Sequence, residues 1–163
     1  MMTNKRKKVA IVMGSQSDYS IMKKCEEILK TLKIKYETKI ISAHRTPDRM
    51  FEFAKNATKN NFAVIVAGAG GAAHLPGMIA SMSILPIIGV PIETKKLKGL
   101  DSLLSIVQMP KGIPVGTVAI GENGAFNAGL LAASIIALFD DKTKKNLEKW
   151  RRLQTIAIKK KPN

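Results

Sequence analysis

The chain holds one cysteine, Cys25, in 163 residues. That excludes an intrachain disulfide and points to a reducing compartment. Aromatic residues are 5% of the chain, with a single tryptophan. They are too few beside the basic residues to build the stacking platform that single-stranded nucleic acid needs. No apolar run is long enough to span a bilayer. The two histidines, His44 and His74, have no cysteine or carboxylate at ligand spacing, so no metal site is expected. Acidic residues are also scarce, 12 against 27 lysines and arginines, for a net charge of +15. The excess is mostly terminal, in Lys5 to Lys8 and from Lys142 onward. It reads as a solvated surface that weakly steers anions, with no nucleic-acid partner expected. Met1 to Lys8 leads into a short strand, not into the apolar core of a signal peptide. A cytoplasmic protein without a membrane partner is the expectation.

The chemistry lies in three short motifs, each after a predicted strand. They are Gly14-Ser15-Gln16-Ser17-Asp18, Ser42-Ala43-His44-Arg45-Thr46-Pro47 and Gly68-Ala69-Gly70-Gly71-Ala72-Ala73-His74. In a parallel α/β sheet, ligands bind outside the carboxyl ends of the strands, where strand order reverses. Three such loops predict one shared site for a phosphate-bearing small molecule and proton-transfer chemistry. The first motif lacks the dinucleotide fingerprint and the Walker lysine. It precedes a helix N-terminus, which favours an anion, and Ser15 and Ser17 add hydroxyls. The competing reading makes Ser17 or Asp18 a simple N-cap. Asp18, itself negative, suits sugar hydroxyls better than phosphate. Arg45 offers a planar fork of donors for phosphate. An imidazole exchanges protons near neutrality, so His44 is either a general acid and base or an idle loop residue. The third motif has almost no side-chain bulk and lets a ligand approach the backbone closely. His74 is open between a pocket role and local capping or packing.

Strands are expected at Val9–Met13, Tyr36–Ile41, Ala63–Ala67, Pro86–Val90 and Val115–Ala119. Helices are expected at Asp18–Leu32, from Thr46-Pro47 to about Lys59, from Leu75 to about Met82, after Gly99, at Ala125–Phe139 and from Lys142 to about Ile156. The first helix carries Ile21, Met22, Cys25, Ile28, Leu29 and Leu32 on one face, which makes Cys25 core and not a nucleophile. Met50, Phe51, Ala54 and Ala57 are the expected buried stripe of the second. The helix at 125–139 is apolar almost all round. One sheet cannot cover it, so a homo-oligomer is expected. Alternating strands and helices predict a single α/β domain over 1–163, with a basic tail at 1–8 and a charged helix and tail at 142–163. The expected architecture is a flavodoxin-like three-layer α/β/α sandwich with a central parallel sheet in the order 2-1-3-4-5.

Together with Leu75-Pro76-Gly77-Met78, Gly99 to Pro110 and Asn127 to Ala132, the three motifs resemble class I N5-carboxyaminoimidazole ribonucleotide mutase of purine biosynthesis. The resemblance covers about Val9 to Thr155. It implies a flavodoxin-like octamer that moves a carboxylate from the exocyclic nitrogen to ring carbon C4 of a nucleotide-like substrate, without metal or organic cofactor. By motif position it implies His44 as general acid and base. Ser15, Ser17 and Arg45 would hold the 5′-phosphate and Asp18 the ribose. Ser42 and Ala43 would position the imidazole, and Ala69, Gly70, Gly71, Ala72, His74 and Leu75 would form a pocket for carbon dioxide. Tyr19, Glu122 and Phe126 depart from the family's usual residues. A carbon-dioxide-dependent aminoimidazole ribonucleotide carboxylase is the runner-up. A flavin or nucleotide binding module without catalysis is the alternative of a different class.

Overall fold

The computed structural model describes residues 7–161. Residues 1–6 of the basic tail, and residues 162 and 163, lie outside the described residues. Five strands form one parallel sheet: β1 (Lys8–Met13), β2 (Tyr36–Ile40), β3 (Phe62–Gly70), β4 (Ile87–Ile92) and β5 (Gly116–Thr117). Their order is β2-β1-β3-β4-β5, all neighbours parallel. The helices are α1 (Tyr19–Thr31), α2 (Pro47–Asn56), α3 (Leu75–Ala80), α4 (Leu100–Val107), α5 (Glu122–Ala137) and α6 (Asp141–Ala157).

Alternation along the strands divides the core into two layers. Val9, Ile11 and Met13 of β1, with Val64 and Val66 of β3, pack on α1 and α5. Ala10 and Val12, with Ile65, Ala67 and Ala69, face α2, α3 and α4. Helices therefore cover both faces, as a flavodoxin-like α/β fold requires. The periodicity of α1 holds: Met22, Cys25, Ile28 and Leu29 are fully buried or nearly so. Burial also pushes the Cys25 thiol up, away from thiolate chemistry.

Several details differ from the sequence expectation. In α2 the buried aromatic is Phe53, whereas Phe51 is 47% exposed with the Lys55 ammonium over its ring. Met50, Phe53, Ala54 and Ala57 follow the three-and-four spacing of one helix face. Phe51 is rotated about 100° from Met50 and points outward. Thr46 stands at the N-cap position of α2 without capping it. Its hydroxyl donates to Ser42 O and accepts from Ser42 N–H, closing the loop on itself. β3 runs on to Gly70 because it pairs with β4 through Gly70↔Ile92. That ladder uses backbone groups, so small residues do not end it. β5 is reduced to two residues, Gly116–Thr117.

The atypical residues have packing roles. The Phe126 ring lies 6.1 Å from that of Trp150 and joins α5 to α6. Glu122 reaches Lys24 of α1 at 4.0 Å, and the Tyr19 hydroxyl donates to Glu26. α5 starts at Glu122 because Gly121 adopts φ +78°. Gly124, one turn further, has no room for a side chain: a Cβ there would fall 1.6 Å from Ala119 O. Gly124→Ala is expected to cost roughly 3 kcal/mol through forced backbone movement, read as a lower urea midpoint at unchanged slope.

α5 is buried along only part of its surface. Ala125, Ala128, Ala132, Ala133 and Ile136 face inward, while Leu131, and Leu138 and Phe139 just past the helix end, are exposed. Within one chain the sheet, α1 and α6 cover part of the helix. Among the described residues, no helix is long and apolar enough to cross a membrane.

Candidate active site

The loops after β1, β2, β3 and β4 surround a cavity of about 450 Å³ at the carboxyl end of the sheet. Strand order places it there. β1 lies between β2 and β3, so their three following loops meet at the reversal of chain direction across the sheet. Of the residues singled out from sequence, Ser15, Ser17, Asp18, Ser42, Ala43, His44, Arg45, Ala69, Gly70, Ala72, His74 and Leu75 line the cavity. Gly71 does not; it turns away with φ +69°.

The first loop is a single turn of 3-10 helix, Gln16–Asp18, ahead of α1. Ser15 caps this turn, while Asp18 stands at the N-cap position of α1 without a side-chain cap bond. The Ser15 hydroxyl accepts from the backbone N–H of Ser17 at 3.3 Å and lies 3.0 Å from the Ser17 hydroxyl. Ser17 Oγ also lies 3.3 Å from Asp18 Oδ1. Burial raises the Asp18 carboxyl above its ordinary range; hydrogen bonds from Ser17 and Ser15 and the Arg45 charge partly offset this.

Arg45 ties the first loop to the second. Its Nη2 donates to Gly14 O at 2.9 Å and its Nε to Ser42 Oγ at 3.2 Å. Ser42 Oγ also accepts from the Arg45 backbone N–H at 3.2 Å. These bonds use part of the five-donor guanidinium fork and aim the remainder. A tethered arginine loses less freedom when it grips an anion than a loose one.

The two histidines meet across thirty residues. His44 Nε2 is 2.8 Å from His74 Nδ1, and the rings stand edge-on at 87°. One ring donates and the other accepts, so the pair shares one proton on this edge. His74 occupies the N-cap position of α3 but makes no side-chain cap there. Its ring meets His44 and lines the cavity instead of capping the helix. Both side chains are exposed toward the cavity.

Gly14, the first residue of the serine motif, also lines the cavity, and three lining residues were not anticipated: Ile92, Glu93 and Thr94. These three come from the end of β4. Reading that strand as finished at Val90 hid a fourth loop that the parallel arrangement would have supplied. Thr94 Oγ1 donates to Asp101 Oδ1 at 2.8 Å and accepts from Gly99 N–H, which fixes this wall on the start of α4. Among the described residues, no group of three or more His, Cys, Asp or Glu side chains is arranged to hold a metal ion.

The site can therefore hold an anion at its serine and arginine loops, a sugar beside Asp18, and a proton donor and acceptor facing a wall of backbone. Comparison with known proteins gives the family. A family model described as AIR carboxylase matches residues 8–156. A Brucella melitensis protein named N5-carboxyaminoimidazole ribonucleotide mutase is 56% identical over 95% of this chain and 96% of its own length. The protein of the same name in Bacillus subtilis is 57% identical over 88% of each. The crystal structure of Treponema denticola PurE superposes with a TM-score of 0.83 at 28% identity, covering 92% of both chains. With a family model spanning residues 8–156 and relatives more than half identical over 88–95% of it, this chain belongs to the AIR carboxylase family.

Proposed function

We propose that the protein is an N5-carboxyaminoimidazole ribonucleotide mutase of purine biosynthesis, with His44 as its one general acid and base. The observation that carries the reading is the His44–His74 pair in the same cavity as the tethered Arg45 and the glycine wall. The names of relatives at 56–57% identity support the mutase over a carboxylase that draws carbon dioxide from solution. An aminoimidazole ribonucleotide carries a phosphate, a ribose and a small ring, one for each of the three kinds of wall.

In this reading Arg45, Ser15 and Ser17 grip the 5′-phosphate and Asp18 accepts from the ribose hydroxyls. His44 starts as the imidazolium and protonates the exocyclic nitrogen. The nitrogen–carboxylate bond breaks and carbon dioxide leaves with the bond's electron pair remaining on nitrogen. Ring carbon C4 then attacks carbon dioxide and a carbon–carbon bond forms. His44 takes the C4 proton and is an imidazolium again. Atoms and electrons balance, and no oxidant is needed. His74 holds the imidazole in register through the shared proton. Ala69, Gly70 and Ala72 keep carbon dioxide beside the ring, so that recapture is a positioned step and not an encounter.

The exposed Leu131, Leu138 and Phe139 support a homo-oligomer, for which the family resemblance implies an octamer. The same resemblance supports one catalytic domain acting in the cytoplasm.

The test is turnover of freshly generated N5-carboxyaminoimidazole ribonucleotide, with free carbon dioxide scavenged in one arm. A parallel reaction receives aminoimidazole ribonucleotide and bicarbonate. Conversion that persists under scavenging is expected. Activity confined to the bicarbonate arm would make the protein a carboxylase.

A further inference from the structure

The stretch from Gly99 to Pro110 belongs to the sequence signature, yet none of it lines the cavity. Two of its serines reach the cavity wall from behind. Ser102 is fully buried on α4. Its hydroxyl accepts from the Gly71 backbone N–H at 2.9 Å and donates to Ile92 O at 2.7 Å. The β3–β4 ladder ends one residue earlier, at Gly70↔Ile92. Ser102 thus supplies one more rung, built from a side chain, where direct strand pairing stops. Ser105 Oγ lies 3.1 Å from Gly71 O and 2.7 Å from Asp101 O, with one proton to share between them. Both backbone polar groups of Gly71 therefore meet α4.

We propose that Ser102, assisted by Ser105, is a positioning residue of this active site: it clamps the Gly71 peptide so that Gly70 and Ala72 hold the wall against which the carboxylate is transferred. The glycine run has almost no side chains to pack, and its backbone is the most permissive in the chain. Gly71 already sits at φ +69°. The strand ladder holds the run as far as Gly70, and beyond it Gly71 O accepts from Ala73 N–H at 2.9 Å while Ser102 holds the Gly71 N–H. The same hydroxyl fixes Ile92, another lining residue, so one group sets two sections of wall. A reactant as small as carbon dioxide is kept by shape alone, and displacement of the wall by about 1 Å is enough to cost up to 100-fold in rate. The phosphate grip at Arg45, Ser15 and Ser17 lies on other loops and is independent of the clamp.

This inference rests on the mutase reading, and its test separates the two. Wild type, Ser102→Ala and Ser105→Ala are compared for kcat and KM on N5-carboxyaminoimidazole ribonucleotide. Hydrogen exchange of the backbone amides in residues 69–73 is measured on the same samples. Ser102→Ala is expected to lower kcat about tenfold with KM within about twofold of wild type, and to speed exchange in that segment. Ser105→Ala is expected to lower kcat about threefold in the same pattern. Should Ser102→Ala fail to fold, the exposed Ser105 variant decides alone. Unchanged kcat, or a matching rise in KM with exchange unaltered, overturns the clamp while leaving the mutase in place. A wild-type protein that does not convert the substrate at all overturns the mutase reading, and the clamp's role with it.

Discussion

His44→Asn is expected to reduce turnover about 10,000-fold while the protein folds and binds ligand as before. Acid–base catalysis by one side chain contributes up to about 10,000-fold, and in the proposed reaction His44 acts twice, first as acid and then as base. Asparagine keeps a polar side chain of related reach but does not exchange a proton near neutrality. The side chain is exposed in a loop, so its replacement removes little packing. The controls are the dissociation constant of the product ribonucleotide, expected within about threefold of wild type, and an unaltered melting temperature. Near-normal kcat in a folded, ligand-binding variant would remove His44 from the mechanism.

Arg45→Ala should act on binding. Hydrogen bonds to a charged group are worth about 1.5–3 kcal/mol each, and a guanidinium makes two in parallel to a phosphate. Loss of the grip is therefore expected to raise the substrate dissociation constant about 100-fold or more. The variant also loses the bonds to Gly14 O and Ser42 Oγ that join the first two loops. Titration with the corresponding ribonucleoside, which lacks the phosphate, separates these effects. If Arg45 grips phosphate, wild type and variant bind the ribonucleoside equally weakly. An unchanged constant for the ribonucleotide would place the phosphate elsewhere in the cavity.

Part of this site is legible because each piece of it is local. A strand followed by Ser-Gln-Ser-Asp, by His-Arg or by a glycine run is visible within six residues, and parallel topology then states where such loops converge. The apolar stripe of α1 is local in the same sense, since side chains one turn apart share a face. Where the local pattern is ambiguous the reading misses. Met50, Phe51 and Phe53 offer two possible faces, and only contact with β3 and α3 selects Phe53. Gly68 to Gly70 has the composition of a loop, but its backbone pairs with Val90, Pro91 and Ile92 of β4 as strand. The fourth loop, with Glu93 and Thr94, goes unseen for the same reason at the end of β4.

By itself, the sequence determined the order of elements, the parallel sheet and the three loops that carry serines, histidine, arginine and glycines. These follow from periodicity, turn chemistry and the handedness of crossovers. Only the tertiary structure decided which groups touch. It paired His44 with His74, tied Arg45 to Gly14, and set Ser102 behind Gly71, thirty-one residues away in the chain. A hydrogen bond requires two groups to meet within a few tenths of an ångström, and no local pattern fixes that distance across thirty residues. Packing of the whole sheet and its helices does.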